Sequence, residues 1–160
     1  MAVNTKSADR RPLRFESLED VDAELARLEA AQRAGGLVAS GNYSPGQNLH
    51  HLARWMERYE KRDLPTGLPL PVRIFGRLFK RRILSKGFPA GLAGPDGKQQ
   101  PEPEVSFEEG LAYLRRMHGV LRSADFGHQN PFLGKLTHEQ CVKIHLRHCE
   151  LHLGFIRANN

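Results

Sequence analysis

Cys141-Val142-Lys143-Ile144-His145-Leu146-Arg147-His148-Cys149-Glu150-Leu151-His152-Leu153-Gly154-Phe155-Ile156 is the stretch on which the reading of this chain turns. Wound as an α-helix, at about 3.6 residues per turn, it sets His145, His148 and His152 along one side. The same side carries Cys141 and Ile156, and the adjoining stripe is Ile144, Leu151 and Phe155. The imidazoles are therefore expected to point toward the core.

Imidazoles on an apolar helix face lose their hydration unless each nitrogen finds a partner. The ordinary partner is a hydrogen bond inside the core, and a divalent metal is the other. His148 and His152, at i and i+4, have Cα atoms about 6 Å apart along the axis, a spacing that lets both rings grip one ion. The His-Glu-x-x-His pattern of a metalloprotease is absent, because Cys149 stands where that glutamate would be. A third ligand from elsewhere in the chain would decide between core and metal.

Outward from this stretch, the composition bounds the class. At 160 residues, with 39% hydrophobic and 26% charged content, the chain reads as one ordinary soluble domain over 15–160, preceded by a flexible, polar tail over 1–14. No run of 18 apolar residues is present to span a membrane, and Met1 to Arg14 lacks the apolar segment of a signal peptide. A cytoplasmic location is the expectation. Cys141 and Cys149 lie about 12 Å apart along one helix, beyond disulfide reach, so both are expected to be reduced.

The net charge of +6 has an address. Between Leu64 and Pro95 there is no acidic residue, while Arg73, Arg77, Lys80, Arg81, Arg82 and Lys86 supply six positive charges. Such a stripe is usually a solvated helix face. It can also meet an anionic partner, with Arg73, Arg77 and Arg81 as the candidate anion-binding residues; nucleic acid is not the expected partner.

Helix signals recur along the chain. Ser17-Leu18-Glu19-Asp20 opens the first helix, with Leu18, Val21, Leu25 and Leu28 at helical spacing, and Gly35-Gly36 ends it. Ser44-Pro45-Gly46-Gln47 caps the second, whose core stripe is Leu49, Leu52, Met56 and Tyr59. His51 falls at the margin of that stripe, and His50 is expected on the exposed side. From Asp63 to Val105 prolines and glycines break every long element except a short helix over Val72 to Ser85, with Ile74, Phe75, Leu78, Phe79 and Ile83 as its apolar side.

Ser106-Phe107-Glu108-Glu109 then caps a helix running to Ser123, and Thr137-His138-Glu139-Gln140 caps the last one. The stretch from Phe126 to Gly134 between them reads as a loop. Four capped amphipathic helices and no strand pattern predict an all-α four-helix bundle, with a crossover of roughly 40 residues between its second and third members.

Three ordered motifs carry a resemblance: Ser44-Pro45-Gly46-Gln47 followed by His51-Leu52-Ala53, then Asn130-Pro131-Phe132-Leu133-Gly134-Lys135-Leu136-Thr137, then His145 to His152. Together with Gly87-Phe88-Pro89-Ala90-Gly91 they make the chain, from Phe15 onward, resemble the DinB/YfiT-like superfamily, in an uncharacterised branch labelled a domain of unknown function. That resemblance implies a bundle of up-down-down-up topology. It also implies a divalent metal, nickel or zinc, held by His51, His148 and His152; His145, one turn before His148 on the same helix, is expected to support a ligand or to substitute for one.

Three neutral imidazoles leave coordination positions open, as in catalytic rather than closed structural sites. A metal-dependent hydrolase or a thiol S-transferase is implied, with a small-molecule or thiol substrate and a homodimer as the common assembly. The competing reading is a non-catalytic helical binding module that uses the basic face Arg73 to Lys86.

Overall fold

Four helices begin by the same chemistry. At Ser17, Ser44, Ser106 and Thr137 the hydroxyl accepts from the backbone N–H three residues on, and the side chain there (Asp20, Gln47, Glu109 or Gln140) accepts from the cap's own N–H. Each reciprocal pair satisfies donors that a helix start leaves open, contributing about 1 kcal/mol. The computed structural model describes residues 3–64, 66–91 and 102–159. In it the capped helices are α1 (Leu18–Gly35), α2 (Pro45–Glu60), α4 (Phe107–Ser123) and α5 (His138–Leu153), and α3 (Leu70–Lys86) lies between the second pair.

Leu25, Leu28, Leu49, Leu52 and Leu114 are fully buried, so the predicted stripes do face one core. α2 packs most closely on α4. There two glycines let backbone approach backbone: a Cβ on Gly110 would lie 2.5 Å from the Gly46 carbonyl oxygen. α5 packs against α1, α2 and α3. It is enclosed nearly all round, burying Ile144, Leu146, Cys149 and Leu153 together with His145, Arg147 and His152.

The chain is mostly helical but not purely so, which corrects the expectation of no strands. β1 (Leu37–Ala39) pairs antiparallel with β4 (Ile156–Ala158), Leu37 opposite Ala158 and Ala39 opposite Ile156. β2 (His128–Asn130) pairs antiparallel with β3 (Gly134–Leu136), inside the stretch expected to be a loop. Three-residue strands are too short to show an alternation in sequence. The hairpin is specified by a side chain: Asn130 Oδ1 accepts from the N–H groups of Phe132 and Leu133 at 2.9 and 2.7 Å, and Gly134 turns with φ of 79°.

Two further expectations change. Part of the stretch expected to be a loose tail is tied down: Arg11 N donates to the Gly154 carbonyl at 2.8 Å, and its guanidinium bonds Ile156 O, Leu153 O and Glu24. On α3 the expected apolar side is buried only in part: Ile83 is 1% exposed and Phe79 is half-buried against the core, whereas Ile74, Phe75 and Leu78 are exposed by 50%, 56% and 69%. The helix leans inward on Gly76 and Ile83, because apolar residues occur on two sides of it and the side with the glycine allows the closer approach to Phe132. Pro65, Pro95 and Pro101 of the expected crossover lie outside the described residues. Among the described residues no helix is long and apolar enough to cross a membrane.

Candidate functional site

α2 and α5 pack against each other, and that contact brings His51 to His148 and His152. One ligand nitrogen from each ring lies within 4.8 Å of the other two. Ring centroids are 5.2 Å apart for His51 and His148, 4.5 Å for His51 and His152, and 4.7 Å for His148 and His152. The three predicted positions therefore come together, at a distance suited to one ion.

The outer nitrogens explain how two of the rings are aimed. His51 Nδ1 donates to Glu102 Oε1 at 2.7 Å, since a carboxylate only accepts, and this leaves a lone pair on Nε2. His152 Nδ1 donates to Asn48 Oδ1 at 3.0 Å. The orientation of that amide is set in turn, because Asn48 Nδ2 donates to the Tyr43 and Ser44 carbonyls at 3.1 and 3.0 Å. Acceptors behind Nδ1 are the arrangement that orients metal-ligating histidines.

Charge follows the same pattern. Burial holds His148 and His152 well below the ordinary imidazole range, with the neighbouring His51 adding to the effect, so both rings are neutral with a lone pair to offer. For Glu102 burial pushes the carboxyl up, but hydrogen bonds from His51 and His50 and the charge of Arg54 outweigh it and hold the group below its usual value. Glu102 is thus a carboxylate with its acceptor sites taken: His50 Nδ1 donates to Oε2 at 3.0 Å, and Arg54 pairs with Oε1 at 2.9 Å.

The trio opens onto a cavity of about 460 Å³ with mostly apolar walls, among them Trp55, Phe79, Ile83, Phe88 and Phe132. Tyr43 stacks on His152 with centroids 6.2 Å apart, and Phe88 tilts against His148 at 5.3 Å. A small molecule with an apolar body can occupy such a space with one end at the histidines.

The family described as "Protein of unknown function (DUF1569)" matches residues 7–159. This chain belongs to that family. No curated protein and no solved structure matches it.

In this family member the remaining predicted residues go elsewhere. His145 stands apart from the trio: its Nε2 lies 3.0 Å from His118 Nε2 and 3.3 Å from Cys149 Sγ. Arg73, Arg77 and Arg81 are exposed along α3 and do not line the cavity, where the arginines among the described residues are Arg54 and Arg58. His50, expected to be exposed, is half-buried against Glu102.

Sequence reasoning missed Asn48, Glu102 and His118. Asn48 carried a signal, because it precedes His51 by three residues and so lies one helical turn away, beside the core stripe of Leu49 and Leu52. Glu102 carried none, since it reaches His51 across about fifty residues of chain from a Pro-Glu-Pro-Glu run that reads as solvated linker.

Proposed function

We propose that this chain holds a divalent metal, nickel or zinc, through His51, His148 and His152, and uses it to activate a thiol for transfer to an apolar electrophile in the adjoining cavity. The observation that carries the reading is the pair of anchored imidazoles, His51 on Glu102 and His152 on Asn48, with their free lone pairs meeting beside His148. The DinB/YfiT-like resemblance, which implies an up-down-down-up bundle that α1, α2, α4 and α5 would form, supports the same assignment.

When bound, such an ion supplies Lewis acidity that lowers the pKa of a coordinated thiol or water. The protein's own residues do the rest. Glu102 and Asn48 fix the tautomers of two ligands, Tyr43 and Phe88 hold the rings in place, and the apolar walls exclude water from a bound substrate. Thiol transfer is favoured over hydrolysis because the carboxylate nearest the trio is committed to His50, His51 and Arg54 and is not available as a base. In the transfer, sulfur bonds the electrophilic carbon as the carbon–halogen or epoxide carbon–oxygen bond breaks; a halide departs with its electron pair and the thiol proton passes to solvent, whereas the opened epoxide oxygen keeps the electron pair and takes a proton.

The test is elemental analysis of protein purified without a histidine tag or chelator, compared with His148→Ala. Loss of one equivalent of nickel or zinc, together with thiol-dependent turnover of an epoxide or haloalkyl panel that falls with it, is the expected result. Equal metal content in the two proteins would overturn the site.

A second reading has its own observation. Leu70, Ile74, Phe75 and Leu78 are exposed on the helix that carries Arg73, Arg77 and Arg81. A non-catalytic module would dock an anionic partner there, and salt-sensitive binding that survives His148→Ala would favour it. The unpaired, buried cysteines support a reducing compartment such as the cytoplasm.

A further inference from the structure

Beside the cavity, whose wall includes His145, a second group of donors converges, and it uses none of the three histidines above. His118 of α4 and His145 and Cys149 of α5 are 1%, 6% and 0% exposed. Their ligand atoms all lie within 4.8 Å of one another. His118 Nδ1 donates to Asp22 Oδ1 at 2.8 Å, and the other Asp22 oxygen is held by Arg122 at 2.7 Å. The anchored tautomer puts a lone pair on His118 Nε2, which points inward at His145.

Hydrogen bonding alone connects Asp22, His118 and His145 but leaves the weak thiol donor of Cys149 out. The Nε2 of a neutral His145 either carries a proton or offers a lone pair. It faces two atoms, His118 Nε2 at 3.0 Å and Cys149 Sγ at 3.3 Å. If it donates to His118, the thiol has no acceptor there; if it accepts from the thiol, two lone pairs oppose each other at 3.0 Å. One cation among the three removes the conflict, because every atom then contributes a lone pair.

We propose that His118, His145 and Cys149 form a second metal site, distinct from the cavity trio, that takes a zinc-class ion and ties α4 to α5. The donor set selects the ion: two imidazoles and a thiolate suit a borderline-soft metal and are wrong for magnesium or calcium, which require oxygen. Asp22 behind His118 repeats the carboxylate–imidazole arrangement of metal ligands. The ion enters by displacing the sulfhydryl proton, which is released to solvent. The site is more enclosed than the trio, and its role is to hold the helices that carry the cavity wall.

Cobalt(II) titration of the metal-free chain tests this, because only a thiolate ligand gives an intense sulfur-to-cobalt charge-transfer band in the near ultraviolet. The cavity trio has no sulfur and cannot produce it. The expected result is a band of one cobalt–thiolate per chain, saturating at one equivalent in His51→Ala, present in Cys141→Ser and lost in Cys149→Ser. Absence of the band in the wild-type protein, or its survival in Cys149→Ser, overturns the proposal. Should Cys149→Ser fail to fold, the wild-type and Cys141→Ser spectra still decide, since the chain has two cysteines and Cys141→Ser leaves Cys149 as the sole thiol.

Discussion

The two donor clusters share one helix and differ in what surrounds them. On α5, His148 and His152 project at about 60° of rotation from His145 and Cys149, a small step around a helix that turns about 100° per residue. On one side α2 supplies His51 and leaves a cavity of about 460 Å³ in front of the rings. On the other side α4 supplies His118 and leaves no exposure beyond a few per cent. Similar imidazoles thus differ in access: the trio faces a cavity with room for a substrate, while the second group meets that cavity through His145 and buries His118 and Cys149 away from it.

The comparison breaks first at the ligands. His148→Ala should weaken nickel or zinc binding at the trio by more than the roughly 100-fold that outer partners contribute, with cobalt charge transfer at Cys149 unchanged. Isothermal titration against a competing chelator reads both sites. If one variant abolishes both, the clusters form one site and the distinction fails.

Outer partners come next. Glu102→Gln keeps the volume but weakens the acceptor behind His51, so metal affinity at the trio should fall by about 10–100-fold while stoichiometry is retained. An unchanged affinity would mean that the His51 tautomer is set by something other than Glu102.

Stability separates the clusters in the metal-free protein. His118→Ala leaves His145 facing a cavity inside the core and one Asp22 oxygen without its partner, and should cost about 2–3 kcal/mol in urea unfolding. His51→Ala, at the edge of an existing cavity, should cost less than half as much. The reverse order would show that the enclosed group contributes little to the apo fold.

Acid gives a related measurement. Burial holds His118, His145, His148 and His152 below the ordinary imidazole value of 6.5. The unfolded chain therefore takes up protons that the native chain refuses. Stability is full above that pH and is lost as the pH falls through it, by up to about 1.4 kcal/mol per pH unit for each such group. Apo-protein melting should be nearly flat from pH 7 to 8 and drop below about 6.5; a flat profile down to pH 5 would place the rings in water.

The smallest effect belongs to α3. Reversing Arg73 and Arg77 to glutamate should change stability by less than about 0.5 kcal/mol and leave the metal affinity of both clusters unaltered, because neither side chain touches them. A large loss of metal would mean that the basic face is part of the site.

Much of this arrangement was legible in the chain. All four capping boxes, at Ser17, Ser44, Ser106 and Thr137, form as read, because a cap is a bond between residues three apart and needs no tertiary partner. The trio was legible for a different reason: His148 and His152 are fixed to one face by helix geometry, and His51 came through the resemblance. His118 was not, since a single histidine between Met117 and Gly119 has no periodic signature of its own.

The side of α3 that turns inward was equally hidden. Its sequence offers apolar residues both at Ile74 and Leu78 and at Gly76 and Ile83, and only the packed shape of Phe132 selects between them. The three-residue strands likewise depend on partners far along the chain, Leu37 on Ala158 and His128 on Leu136. By itself the sequence determined where helices start and which ligands one helix presents, because those are interactions within a few residues. The tertiary structure alone decided that Glu102 stands behind His51, that Asp22 stands behind His118, and that one cluster faces the cavity while the other buries His118 and Cys149 away from it, because each depends on which surfaces meet when separate helices exclude water.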